Sequence, residues 1–355
     1  MTQPSNTSST KTTPTNNKQQ RQTVTPRSPR IRSLGDLLSD DTIEPRRSLC
    51  GPWLLERGFS MVFAPTGIGK SWFAMGVTAA VASGGTYGHW SAPEPRKVLY
   101  IDGEMDAADL KSRFHSIVEA AASGDRDAIE QNVLLYARHD QPEDGTMPDF
   151  GDPDDIEGIV QIVRDVRPDL VVLDNLSTLA TVDDNNASEA WDPFLKLLQR
   201  IRSTGAAVLV VHHANKGGET YHGSSKIPVM FDSLVRLRPN KSPSFDKVGA
   251  AFILDFVKLR MLSEDANKTF DVAFSDNQWH FDTVVSPEVL QLVQRILGGE
   301  FTTQKDAAAA LGTTPVDVTR MLSKAYAAGV TTRDAIKAAL QQAQEDADEE
   351  ADLPF

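Results

Sequence analysis

The stretch FSMVFAPTGIGKSWFAMG, Phe59 to Gly76, decides the fold. Five mostly apolar residues read as a buried strand, a helix-like apolar pattern resumes after Ser71, and APTGIGKS stands between them. A turn of that kind points backbone amides and a helix N-terminus at an anion. Its spacing fits the phosphate-loop pattern, with Ala64 where the strict pattern has Gly. Ala64, Pro65, Thr66, Gly67, Ile68, Gly69, Lys70 and Ser71 are therefore the expected nucleotide-binding residues. Gly67 and Gly69 let the amides turn inward, Lys70 neutralises the β- and γ-phosphates, and the Ser71 hydroxyl sits on Mg²⁺. ATP and Mg²⁺ are the expected ligands.

Working outward, short apolar runs alternate with helical patterns. The runs are KVLYID (97–102), NVLLYA (132–137), DLVVLDN (169–175) and AAVLVVHH (206–213). Ala107 to Ala122, Ile156 to Val166 and Glu189 to Arg202 lie between them at helical spacing. The alternation predicts an α/β fold with a mainly parallel central sheet covered on both faces. After His213 the runs SLVRLRP, AAFILDFVKLR, KTFDVAFS and QWHFDTVV predict an antiparallel extension ending near Val285. Asp174 closes one strand, where a carboxylate reaches the metal of a phosphate loop. Glu104 follows KVLYID directly, in position to orient a water at the γ-phosphate.

Together APTGIGKS, YIDGEM, VVLDN, VVHHANKGG, HGSS and VKLR resemble the RecA-like P-loop ATPase core of the RepA type, an AAA_25-like ATPase. RepA-type proteins are ring-forming helicases of plasmids and phages, related to the DnaB replicative helicases and more distantly to RecA and KaiC. The resemblance spans roughly residues 45–285. It implies that Glu104 is the catalytic base, that Asp174 is the metal-associated acid, and that His213 senses the γ-phosphate while His212 points to the other face of the sheet. It further implies that Lys258 and Arg260 reach a neighbouring subunit's nucleotide, an arginine finger in trans, which requires a homo-oligomer, a ring of six. Lys216 and Lys226, in a loop facing the ring's centre, are the expected contacts to single-stranded DNA. The expected function is an ATP-dependent helicase or translocase in plasmid, phage or mobile-element replication. A regulatory or loader ATPase, or a recombination ATPase of the same fold, stands as the alternative.

The ends read differently from the centre. Residues 1–33 carry six basic and no acidic side chains among Thr, Ser, Asn, Gln and Pro, the composition of a disordered arm. The ATPase domain is then expected over 34–285, a small helix-turn-helix-like domain over 286–340, with Thr314, Asp317 and Arg320 on the exposed second helix, and an acidic disordered tail over 341–355. Six acids between Glu345 and Asp352 precede Leu353, Pro354 and Phe355. That ending resembles the tail tip of bacterial single-stranded-DNA-binding proteins, which implies docking of Asp352 to Phe355 on replication proteins that bind such tails. With 49 acidic and 36 basic residues the net charge is −13, so nucleic acid would be held by a local basic lining. A single cysteine, Cys50, excludes an internal disulfide and a cysteine metal framework. No apolar run is long enough for a membrane span or signal peptide, so the expected location is the cytoplasm.

Overall fold

The computed structural model describes Met1 and residues 30–121, 125–142, 145–181, 191–215, 217–218, 220–221, 227–240, 248–261 and 263–351. Two compact units meet at Pro45 and Arg46. In the first, helix α1 (Leu34–Leu38) is closed by a reciprocal capping box: the Ser33 hydroxyl accepts from the Asp36 amide and the Asp36 carboxylate accepts from the Ser33 amide. None of its residues is buried. The compact unit that contains the central sheet begins at Arg46.

In the second unit the elements run β1 (Ser48–Cys50), β2 (Leu54–Leu55), β3 (Phe59–Ala64), α2 (Lys70–Ser83), β4 (Thr86–Tyr87), β5 (Trp90–Ser91), β6 (Val98–Asp102), α3 (Ala107–Ala120), α4 (Arg126–Asn132), β7 (Val133–Ala137), α5 (Ile156–Val166) and β8 (Leu170–Asp174). They continue with α6 (Leu176–Leu179), α7 (Asp192–Ser203), β9 (Ala207–His213), α8 (Ile227–Met230), β10 (Ser233–Pro239), β11 (Val248–Leu259), β12 (Thr269–Ser275), β13 (Gln278–Thr283), α9 (Pro287–Leu297), α10 (Gln304–Ala310), α11 (Pro315–Ala327) and α12 (Arg333–Ala351). Nine strands form one sheet in the order β13-β12-β11-β10-β3-β9-β8-β6-β7. From β7 to β10 every pair is parallel. The antiparallel part begins only at β11. SLVRLRP was expected within that extension; it instead joins β3 in parallel, because the chain after β9 crosses back before β10 starts beside Ser60.

Strand alternation divides the core in two. Val62 and Ala64 of β3 pack with α2, Tyr100 and the aromatic residues of β11 and β12, while Met61 and Phe63 pack against α5 and α7. Both faces of the central strands are therefore dry, which is why they read as continuous apolar runs. Cys50 is buried and unpaired, and burial pushes its thiol up to about 12.

The C-terminal helices close their own small core around Leu292, Ile296, Val318 and Leu322. Thr303 caps α10 and Thr314 caps α11, each accepting from the amide three residues on. Asp317 accepts from both Thr313 and Thr314 and pairs with exposed Arg320 at 3.3 Å, so it serves the cap while its side chain stays at the surface. Helix α12 runs on to Ala351, where a disordered tail was expected from residue 341. Its Gln, Glu and Ala are good helix formers, Ala343 is buried, and Gln342 donates to Asp346 one turn on. Asp352, Leu353, Pro354 and Phe355 lie outside the described residues, as do Lys216, Lys226 and most of the basic arm. Among the described residues no helix is long and apolar enough to cross a membrane.

Candidate active site

Strand β3 delivers its chain into the turn before α2, and two glycines shape that turn. Gly67 has φ 81° and Gly69 φ 105°, conformations that L side chains rarely adopt. A Cβ on Gly69 would also stand 2.9 Å from the Ala250 Cβ. No side chain caps α2, so its first amides stay open to a ligand at a cleft of about 340 Å³.

Lys70 is buried at the base of this cleft, with Nζ donating to the carbonyls of Ala64 (3.2 Å) and Pro65 (3.0 Å). Burial lowers its pKa, and the carboxylates of Asp174 and Glu104 pull it back up. The ammonium is thus held by weak carbonyl partners until a stronger anion arrives.

Asp174 ends β8 and is almost fully buried. Desolvation raises its pKa to about 6, against hydrogen bonds from the Tyr100 hydroxyl (2.5 Å) and Ser71. Asp102, at the same level on β6, adds like-charge repulsion and has one buried oxygen, Oδ2, without a hydrogen bond. Asn175 Oδ1 is likewise buried and unsatisfied. A hydroxyl, a carboxylate and orphaned oxygens around a phosphate-sized space are the hard donors a Mg²⁺ ion prefers. Among the described residues no three His, Cys, Asp or Glu side chains form a metal cage, which suits an ion held chiefly by phosphates and water.

The Asp174 shift has a sign that can be tested. Free of ligand, the folded protein keeps this proton up to about pH 6, whereas the unfolded chain releases it near 3.8. Between those values the folded state binds more protons, so stability falls as pH rises and levels off above about 6. Asp174→Asn is expected to remove this slope and stabilise the ligand-free protein at pH 7 by roughly 3 kcal/mol. Urea unfolding at pH 5 and pH 7 measures it; an unchanged slope in the variant would count against a buried, desolvated Asp174.

Glu104 lies just beyond β6 and is exposed at the cleft. The Asp102 carboxylate accepts from the amides of Glu104 (3.0 Å) and Met105 (2.7 Å), which turns the chain there. Asn175 Nδ2 then donates to Glu104 Oε2 and fixes the carboxylate. His213 ends β9 with Nδ1 3.4 Å from the Thr66 hydroxyl, so a group on this strand touches the phosphate loop. His212 is buried on the other face, its ring 5.7 Å from Trp191, as strand alternation required.

Sequence reasoning missed six residues of the cleft, Met105 and Gly249 among them. Asp102 and Asn175 adjoin recognised positions, and their signal was a carboxylate or amide directly flanking a strand end. Trp72 and Arg113 had none: Arg113 stands 5.7 Å above the Trp72 ring, and Phe274 stacks beneath it at 4.9 Å. That contact joins α2, α3 and β12, elements separated in the chain.

Lys258 and Arg260 are not brought to this cleft. Leu259 pairs with Ser233 and Ser233 with Ser60, at the start of β3, whereas the phosphate loop follows its end. Gly249, at the other end of β11, does line the cleft, and eleven residues of extended strand to Arg260 span about 35 Å. Arg260 instead donates to the Val229 carbonyl (2.6 Å), with Asp232 at 3.9 Å. Burial and the Arg260 charge lower the Lys258 pKa, opposed by Asp232.

A family model described as an AAA domain, AAA_25, matches residues 25–219, more than half of the chain. The chain belongs to the AAA_25 family. The match takes in the phosphate loop, Glu104, Asp174 and His213, and ends before β10 to β13 and before Lys258 and Arg260. The AAA domain accordingly has a P-loop ATPase core on a largely parallel sheet, a family membership that implies nucleotide binding and suggests ATP hydrolysis.

Proposed function

We propose that this AAA-domain protein is an ATP-driven motor that assembles as a ring of six and travels along single-stranded DNA, separating strands in plasmid, phage or mobile-element replication. The observation that carries the reading is the separation of Arg260 from its own cleft. A cation about 20 Å along β11 from the level of Ala64, at the opposite end of the strand from Gly249, is placed to serve ATP chemistry in another copy.

In each cleft Lys70 exchanges its carbonyl partners for the β- and γ-phosphates. Ser71 and Asp174 would hold Mg²⁺, which would neutralise phosphate charge. Glu104, fixed by Asn175, orients a water and receives its proton. His213 and Thr66 register the γ-phosphate, and β9 carries the change to the loop beyond it. Lys258 and Arg260 of one copy stabilise developing charge in the next.

Lys216 and Lys226 contact DNA phosphates in the central channel, while Asp352, Leu353, Pro354 and Phe355 dock on replication proteins that recognise single-strand-binding-protein tails. A cytoplasmic location follows from these partners.

Strand displacement on a forked duplex tests the motor. ATP-dependent unwinding, absent without ATP, is expected; ATP turnover indifferent to DNA and without unwinding would favour a regulatory or loader ATPase.

A further inference from the structure

The N-terminal edge of the parallel strands carries a second polar recess, remote from the phosphate loop. Arg46, Arg57, Gln199, Arg202 and Ser203 line an open depression of about 390 Å³ there. None of these residues is acidic. Arg46 is tied to Asp232 at 3.1 Å, which leaves Arg57 and Arg202 as the free charge. Neither has an ion pair among the described residues, although acids outnumber bases by 49 to 36 in this chain. Arg57 is exposed and sits at φ 54°, a backbone conformation uncommon outside glycine. The Arg202 guanidinium lies 5.4 Å over the ring of buried Phe59, which holds it outward and limits the entropy it would lose on pairing.

The geometry points to a docking surface for the acidic C-terminal run of a second copy of this chain, the six carboxylates from Glu345 to Asp352. Charge complementarity identifies the occupant. Within these eight residues no base offsets the acids, and Glu345 and Asp346 are exposed on α12. Arg57 and Arg202 present planar donors suited to carboxylates, and the Gln199 amide adds a neutral donor to the same recess. Nucleic acid fits less well, since the recess offers no exposed aromatic ring on which a base could stack. In its own chain α12 packs against α9, in the C-terminal core, whereas the recess is built from α7 and the segments just before β1 and β3. Different patches on the two copies make the contact head-to-tail, the kind that propagates into a ring or filament. This surface stands apart from the ATP cleft and does not depend on the motor reading.

Full-length protein titrated into a fluorescent peptide of residues 341–355 tests the pairing. Binding that weakens with salt, and by about tenfold in Arg57→Ala/Arg202→Ala, is expected. Equal binding by that variant, or a loss confined to single-stranded DNA, would overturn it. Charge exchange gives a second reading in the intact chain. Arg57→Glu/Arg202→Glu and Glu345→Lys/Asp346→Lys are each expected to reduce the assembled mass, and all four changes in one chain to restore it. Failure of the combined variant to recover would overturn the pairing even where each single set disrupts assembly.

Discussion

Arg260→Ala is expected to lower ATP turnover about a thousandfold while leaving nucleotide affinity within about twofold. The side chain is half-exposed, and its own protomer uses it only for the Val229 carbonyl and a long approach to Asp232, so the fold loses little. In the proposed ring, what is lost is a cation that would meet the phosphates only as charge develops in a neighbour's cleft. The expected signature is therefore a fall in kcat without a rise in KM, read by steady-state ATPase together with equilibrium binding of a fluorescent nucleotide. A matching loss of affinity would move Arg260 from transition-state to ground-state binding.

Lys70→Ala should give the opposite pattern, with nucleotide affinity and turnover both falling by about two orders of magnitude or more. Lys70 is buried between the loop carbonyls and within the field of Asp174 and Glu104. Removing it strips the cleft of its central positive charge and leaves two carboxylates to repel the incoming phosphates. The same substitution should abolish unwinding. Calorimetric titration with ATP and Mg²⁺ reads the loss directly; near-normal affinity would mean that the amides of the turn and α2 suffice to hold the triphosphate.

The phosphate loop, Asp174, Glu104 and His213 were legible in the sequence for a physical reason. Each stands at a strand end, where an apolar run stops and one polar side chain must emerge at the sheet's rim. The direction of β10 was not legible, because SLVRLRP pairs with β3 on one side and β11 on the other, and alternation looks alike in both settings. Trp72 and Arg113 escaped because their meeting depends on how α2 and α3 lie against β12. The end of α12 was misread from composition: a run of acids looks solvated, yet spaced with Ala and Gln it also satisfies helix propensity. The distance of Arg260 from its own cleft emerged only from strand register.

The measurement that bears most directly on a cleft completed by a neighbour is subunit mixing. Glu104→Ala protomers keep the proposed finger and lack the proposed base; Arg260→Ala protomers keep that base and lack that finger. Each alone should be nearly inactive. Mixed in equal amounts and allowed to exchange, they should recover about a quarter of wild-type ATP turnover, since one interface in four pairs an intact cleft with an intact finger. A mixture no more active than its separate components, or full turnover by an isolated protomer, would contradict it.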